Sequence, residues 1–347
     1  MADELDPGGS PPSPPRSKSG RKQPGGAPSP HDSVFRRVFG VPANAASQLG
    51  AVLPPDLAGR LDLSRLATVP GSFVDEVLRW RHSDVLFTAP LDGHDAFVYV
   101  LIEHQSSDDP LMAFRMLRYV TRIWDQYERE HPGTRRLPAV IPLVVHQGPG
   151  QWTSSVQLLD VIDLDPAVKQ AVQVYLPRFE FLLDDLSRIS EDQLRNRKLT
   201  PSARVALLVL KTAPGNPQIT ALLRRWEDQL RAVLDQPGGG EAFLAILTYI
   251  QHVSETPDGE LHDLAASLGP DAEEVYVTTA EMLEARGEAR GEARAKAEDI
   301  LVVFEQRGID VDGKSRGRIE SCTDLDTLNG WFRRAFKVDK ASDLFEE

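Results

Sequence analysis

The chain is 347 residues long and 41% hydrophobic, with a formal net charge of −13 that lies mostly after residue 190, a composition typical of a soluble globular protein with room for two domains. Its single cysteine, Cys322, excludes a disulfide framework or a cysteine-rich zinc site and favours a reducing cytoplasmic location. No apolar run is long enough to cross a bilayer, so no membrane partner is expected, and no segment is basic enough for charge alone to predict nucleic-acid binding.

The N-terminal part predicts a tail followed by two helices. Residues 1–30 are rich in Pro, Gly and Ser, which is typical of disorder, and they lack the apolar core of a signal peptide. Asp32 predicts the N-cap of a short helix that ends near Phe39. A second helix is predicted over residues 44–52, where it stops before a pair of prolines.

Two apolar runs between Arg81 and Gln105 predict a β-hairpin. They are separated by Asp92-Gly93, a dipeptide that strongly favours a two-residue hairpin loop. If these two residues form the loop, the strand pairing places Asp84 directly opposite Leu101. A loop with an odd number of residues would break this alignment.

The hairpin brings polar side chains to one face. Opposed residues share a face, as do residues two apart on one strand, so Asp84, Glu103 and Gln105 are predicted to point the same way. Asp84 and Glu103 become diagonal neighbours with Cβ atoms about 7 Å apart. Two carboxylates at this spacing can bind one divalent cation. The alternative is a polar cluster on the solvated face of an antiparallel sheet.

The segments around the hairpin predict a mixed α/β core over residues 31–190. Residues 73–80 predict either a strand or a helix. Apolar residues at helical spacing predict a strongly amphipathic helix over 112–130. A buried central strand is predicted over 139–146, and a further strand over 178–185.

The C-terminal half predicts helices. Residues 191–280 form a helical region with a Gly-rich break at 237–240. Residues 281–299 contain the near-repeat EARGEARGEARAKAE, which is typical of a charged helix or a linker. Residues 300–347 predict a small helical module whose last helix presents Leu325, Leu328, Trp331 and Ala335.

Four segments occur in an order that resembles the Rpn family of recombination-promoting nucleases, also called YhgA-like putative transposases. They are HDSVFRRVFG, GSFVDEVLRWRHSDVLF, VYVLIEHQSSDDPLMAFRMLRYVTRIW and AVIPLVVHQG. The resemblance implies a restriction-endonuclease-like α/β fold of the PD-(D/E)XK group, a mixed sheet flanked by helices, followed by a helical C-terminal region. It also implies cleavage of DNA that depends on Mg²⁺ or on another divalent cation such as Mn²⁺.

The resemblance gives specific residues a role. Asp84 stands as the first motif acid and Glu103-His104-Gln105 as the (D/E)XK element, with Gln105 where the general pattern has lysine. The metal would be bound by Asp84, Glu103 and the backbone carbonyl of His104, and Gln105 would orient water or phosphate. The side chain of His104 is predicted to point to the opposite face.

Weaker candidates each have a simpler explanation. Asp32 and Glu76 could add a further acid to the site, but the first also suits an N-cap and the second a solvated position. Arg115, Arg118 and Arg122 fall at i, i+3 and i+7 on the predicted helix, where they could contact DNA phosphates or line a solvated face.

Two functional hypotheses remain at this stage. The first is a metal-dependent DNA endonuclease, with self-association through its C-terminal region. The second is a binding or regulatory protein on the nuclease fold, which the missing lysine and the acidic charge favour. Residues 308–315 match the phosphate-loop pattern, but they follow a predicted helix end and contain two acids, so no nucleotide cofactor is expected.

Overall fold

The computed structural model of the chain describes residues 29–69, 85–103, 109–148 and 150–345. In these ranges a mixed sheet has helices on both faces and is followed by a helical C-terminal region, which confirms the predicted fold class. The predicted tail before Ser29 and the ambiguous segment 73–80 lie outside the described residues. The proposed division into domains stays a prediction.

The first helix, α1 (Pro30–Phe39), begins earlier than the sequence predicted. Ser29 is its N-cap: the Ser29 hydroxyl accepts the Asp32 N–H, and the Asp32 carboxylate accepts the Ser29 N–H, each at 3.2 Å. The prediction of Asp32 as the N-cap was therefore wrong, because Asp32 is the third helical residue of a capping box. Helices α2 (Pro42–Val52) and α3 (Pro55–Ala58) follow.

Five strands form one sheet in the described part of the chain. They are β1 (Ala67–Thr68), β2 (Val85–Leu91), β3 (His94–Glu103), β4 (Ala139–His146) and β5 (Leu182–Asp185), in that spatial order. The first three strands are antiparallel, whereas β3, β4 and β5 are parallel. The strand predicted over 178–185 is confirmed only from Leu182 onward, because the Phe181 N–H bonds instead to the Val156 carbonyl in a loop.

The predicted hairpin register is confirmed in the described residues. Asp92 and Gly93 have φ values of 48° and 81°, which is the type I′ geometry that this dipeptide favours. Leu91 pairs with His94, and the register continues without a bulge to Val85 opposite Val100. Asp84 is the next residue back along β2 and lies outside the described residues.

Helix α4 (Met112–Glu130) connects β3 to β4 and has the predicted bounds. Its apolar side chains, including Met112, Met116 and Ile123, pack with Phe97 and Val144 on one face of the sheet. A helix between two neighbouring parallel strands returns antiparallel to both of them. The start of α4 therefore lies at the carboxyl end of β3. Near its other end, the indole N–H of Trp124 donates to the carbonyl of Pro138 just before β4 begins, at 2.9 Å.

The opposite face of the sheet carries the larger core. Phe87, Val98 and Val145 point to this face and pack with α1 and with several later helices. Helix α5 (Pro166–Val172) precedes β5 and lies outside this core. The later helices that pack in it are α6 (Glu191–Asn196), α7 (Pro201–Thr212), α8 (Ile219–Arg224), α9 (Glu227–Leu234), α10 (Gly239–Val253) and α11 (Asp258–Leu268). The predicted Gly-rich break falls between α9 and α10, where Gly238 has a φ of 73° and a Cβ at Gly239 would collide with the Val233 carbonyl.

A second, separate core closes the C-terminus. Helix α12 (Pro270–Gln306) joins the first core at Tyr276 and the second at Ala293, so the glycine-spaced repeat lies within a continuous helix. Helices α13 (Gly313–Glu320) and α14 (Leu325–Ala335) complete this second core, with Leu328, Trp331 and Ala335 buried and Leu325 partly buried. No helix in the described ranges has both the length and the apolar character needed to span a membrane.

The phosphate-loop match at residues 308–315 is occupied by a helix cap. The Asp312 carboxylate accepts the backbone N–H groups of Lys314 and Ser315 at 2.8 and 2.9 Å, so a carboxylate fills the position that a phosphate would need. The preceding residues are the end of α12 and not a buried strand.

Candidate functional site

The carboxyl ends of the parallel strands form the candidate site. Glu103 is the last residue of β3 and is the register partner of His146 on β4, and His146 is the register partner of Asp185 on β5. The three residues therefore lie in one row across three strands. In open α/β sheets, ligands bind outside the carboxyl ends of parallel strands.

His146 is the functional candidate that the sequence reasoning missed. Its side chain is 1% exposed, its Nε2 lies 2.9 Å from the Gly150 carbonyl oxygen, and its ring meets the edge of Trp152 at 5.2 Å. A bond from Nε2–H to a carbonyl leaves Nδ1 as a lone-pair acceptor. Nδ1 is buried and has no hydrogen-bond partner among the described residues. The available signal was a histidine ending a buried central strand.

Asp185 fixes the loop that covers this end of the sheet. One carboxylate oxygen accepts the Trp152 N–H at 3.1 Å and pairs with Arg188 Nε at 3.0 Å, while the other accepts the Ser187 N–H at 3.1 Å. Arg188 also donates to the Trp152 carbonyl at 2.8 Å. An open cleft of about 560 Å³ lies beside this loop, lined by residues that include Trp152, Ser155, Asp160 and Arg188.

The neighbouring acid Asp184 faces the other way and belongs to the structural core. Its carboxylate accepts two N–H groups of Arg197 at 2.9 and 3.0 Å and one from Gln48 at 3.3 Å. Close by, burial lowers the pKa of Lys211, which donates to the Leu186 carbonyl at 2.6 Å, although the charge of Asp185 acts in the opposite direction. Both acids of β5 are thus already engaged by the protein.

The three arginines of α4 differ in their surroundings. Arg115 is 14% exposed and pairs with Asp109, just before the helix, at 2.6 Å. Arg118 is exposed, with its guanidinium 5.9 Å from the ring centre of Phe114. Arg122 is half-buried. Only the last two remain available for contacts with a ligand in the described part of the chain.

The other predicted site residues are spread more widely. Asp32 lies in the capping box of α1, and α1 packs on the face of the sheet opposite α4. Asp84, Glu76, His104 and Gln105 lie outside the described residues. Within those residues, no three histidine, cysteine or carboxylate side chains form a group that could hold a metal ion.

The chain is similar to several named proteins. RpnE of Escherichia coli strain K12, an inactive recombination-promoting nuclease-like protein, is 35% identical over 183 residues, which are 52% of this chain and 57% of RpnE. RpnD of Escherichia coli O157:H7, a recombination-promoting nuclease, is 36% identical over 184 residues, 52% of this chain and 66% of RpnD. RpnC of strain K12, also a recombination-promoting nuclease, is 28% identical over 260 residues, 74% of this chain and 82% of RpnC.

The similarity to two of these relatives covers only part of their length. The matches to RpnE and RpnD cover less than two thirds of either protein. No solved structure matched the chain significantly. The family model of the YhgA-like putative transposases matches residues 29–239, a range that contains the whole described sheet and α4. The chain belongs to the YhgA-like putative transposase family.

Proposed function

We propose that this chain is a metal-dependent DNA endonuclease of the recombination-promoting type, which acts in the cytoplasm and hydrolyses phosphodiester bonds. The observation that supports the proposal most is the β2–β3 hairpin. Its pairing is regular as far as Val85 opposite Val100, one residue after Asp84, and β3 ends at Glu103. The names of RpnD and RpnC support a nuclease.

The proposed donors suit a hard cation. The carboxylates of Asp84 and Glu103 and the carbonyl of His104 are all oxygen ligands, which Mg²⁺ and Mn²⁺ prefer. The bound ion would activate a water molecule and offset the charge of the phosphate. Gln105 would orient that water or the phosphate, and Asp32 and Glu76 remain candidates for an additional acid.

Helix α4 supplies the arginines that would bind the DNA backbone. Arg118 and Arg122 have no carboxylate partner within ion-pair distance in the described residues, unlike Arg115 with Asp109. Their guanidinium groups would bind backbone phosphates, which fixes the position of DNA without reading its sequence. Arg115 would act indirectly, by holding Asp109 just before the helix.

A second function is favoured by the name of RpnE, an inactive nuclease-like protein 35% identical to this chain. In this alternative the nuclease fold binds DNA or a protein partner without cutting. Glutamine in place of the usual motif lysine at residue 105 also fits this reading. The two functions differ in one observable, which is the hydrolysis of DNA.

A plasmid-nicking assay with the full chain separates them. We expect nicking with Mg²⁺ or Mn²⁺ and none with EDTA. Asp84→Asn and Glu103→Gln should each abolish nicking, because each removes a negative charge with little change in volume. Asp125→Asn, an exposed acid on α4, is the matched control and should cut like the wild type.

The outcome is clear in either direction. Wild-type protein that binds DNA but never nicks it would favour the second function. Nicking by folded Asp84→Asn protein at the wild-type rate would show that the metal site is elsewhere. Metal binding measured by calorimetry on both variants adds a readout that does not depend on turnover.

A further inference from the structure

An exposed apolar pair lies at the start of α4. Leu111, directly before the helix, is 55% exposed, and Phe114 in its first turn is 47% exposed. Arg118 follows one turn later, with its guanidinium 5.9 Å from the Phe114 ring centre. The spacing of i, i+3 and i+7 places all three side chains on one face of the helix, turned away from the sheet.

This pair lies at the end of the molecule that carries the candidate site. Helix α4 returns antiparallel to β3, so its first turn lies at the carboxyl end of the strand that Glu103 terminates. Leu111 and Arg118 are about 10 Å apart along the helix axis. The apolar pair is therefore nearer the site than the arginines are.

The charge around the pair fits a polyanion. Between Pro110 and Trp124 the charged residues are three arginines, and acids reappear only from Asp125 onward. Asp109 offsets the charge of Arg115, so Arg118 and Arg122 supply the local positive charge in a chain with a net charge of −13. Proteins that deform DNA combine such arginines with phenylalanine or leucine side chains inserted between base pairs.

We propose that Leu111 and Phe114 form a wedge that enters bound DNA and unstacks one base step beside the scissile phosphate, while Arg118 and Arg122 bind the flanking phosphates. This inference rests on the proposed function, because its ligand is the substrate of that function. The wedge would open the duplex locally, so that one phosphate can approach the ends of the strands.

The test uses the full chain in EDTA, so that DNA is bound but not cut. Short duplexes carry 2-aminopurine at successive positions, since its fluorescence rises when a base loses its stacking neighbour. Wild-type protein should raise the fluorescence at one or two positions. Phe114→Ala should lose most of this rise and bind about tenfold more weakly, in line with the loss of one aromatic–base contact.

Two further variants separate a wedge from a general apolar effect. Phe114→Trp should keep the fluorescence rise, since a larger aromatic ring can still enter the stack. Tyr175→Ala removes an aromatic side chain that is even more exposed but lies outside α4, and it should behave like the wild type.

Each other result has a definite meaning. Tight binding of wild-type protein without a fluorescence rise, or an unchanged rise with Phe114→Ala, would overturn the wedge and leave the endonuclease proposal intact. Absence of DNA binding by the wild type in EDTA would overturn the wedge, and the plasmid-nicking assay would still decide the endonuclease proposal. A change in the oligomeric state of Phe114→Ala by light scattering, with an unchanged rise, would make this face a protein contact instead.

Discussion

At the scale of single residues, the two adjacent acids of β5 serve different parts of the fold. Asp184 joins the sheet to the helical region through Arg197, whereas Asp185 ties down the loop over the strand ends. Alternation along a strand predicts that neighbours face opposite sides. The sequence could not show which partners these acids meet, because Arg197 and Trp152 are distant in sequence and contact them only in the folded chain.

Asp184→Asn should destabilise the protein by about 3 kcal/mol, because it leaves the mostly buried Arg197 guanidinium without its counter-charge. Urea unfolding followed by circular dichroism measures the change. Asp92→Asn is the matched control, since it breaks an exposed pair with Arg60 and should cost less than about 1 kcal/mol. Equal effects of the two substitutions would contradict a structural role for the Asp184 pair.

Asp185→Ala should loosen the loop at Trp152 and leave the rest of the core intact. The Trp152 N–H and the Ser187 N–H both lose their acceptor, so their amide hydrogen exchange should become faster. Asp160→Ala, at the rim of the same cleft, removes only a bond from the Ser155 side chain and should leave Trp152 protected. Unchanged protection of Trp152 in the first variant would show that Arg188 and His146 hold the loop without Asp185.

Part of the candidate site could be predicted from single residues of the sequence. Glu103 was predicted correctly to end a strand, because the apolar run that follows the turn dipeptide stops there. His146 was missed as a candidate because pairing between parallel strands depends on a crossover, and nothing local specifies its register. The roles of Asp84, Glu103 and Gln105 stay predictions.

At the scale of elements, long periodic segments were predicted best. The bounds of α4 and β4 were predicted correctly, because an amphipathic repeat and a bounded apolar run are strong signals. The start of α1 was misjudged because two good capping residues, Ser29 and Asp32, compete within one turn. The length of β5 was overestimated because an apolar run does not show where a neighbouring strand ends.

The caps of the two last helices should make the C-terminal core sensitive to acid. Bonds from Ser315 hold the pKa of Asp312 below its usual 3.8, and bonds from Thr327 do the same for Asp324. A lowered folded pKa stabilises the fold at higher pH, and this stabilisation is lost as the pH falls through the unfolded and then the folded value.

Hydrogen exchange of α13 measured at pH 6 and near pH 3 should therefore show selective loss of protection at the lower pH. Asp312→Asn keeps a good capping side chain that does not titrate, so it should reduce this loss for α13. An identical pH response in this variant would mean that other groups cause the acid sensitivity.

The glycines of the α12 repeat should weaken the helix without serving its packing. A Cβ at Gly287 or Gly291 would meet no atom within 4 Å, so alanine should stabilise the protein by up to about 1 kcal/mol at each position. Thermal unfolding measures this gain. Gly238→Ala is the contrasting variant and should destabilise, since its φ of 73° suits glycine. Destabilisation by Gly287→Ala would indicate a close contact with another molecule.

At the scale of the whole molecule, the proposed cutting residues and the C-terminal core are far apart in the chain. A protein that lacks residues 281–347 keeps Tyr276 and the complete first core. We expect it to fold and to nick DNA with Mg²⁺, and to form a smaller assembly by light scattering if the C-terminal core mediates self-association.

Insoluble truncated protein would show that the last helices complete the fold. A folded truncation that binds metal but does not cut would show that assembly is required for cleavage. From the sequence, residues 281–299 were either a charged helix or a linker. A polar repeat with glycines has no apolar face that would show what it packs against.

Because α12 is continuous, the length of its repeat determines the spacing between the two cores. Tyr276 and Ala293 are about 26 Å apart along the helix axis, so the two cores are held by a single rod. Each four-residue unit added or removed would shift the C-terminal core by about 6 Å and rotate it by about 40° about that rod. The number of repeat units would therefore set not only how far the second core reaches but also the direction that it faces.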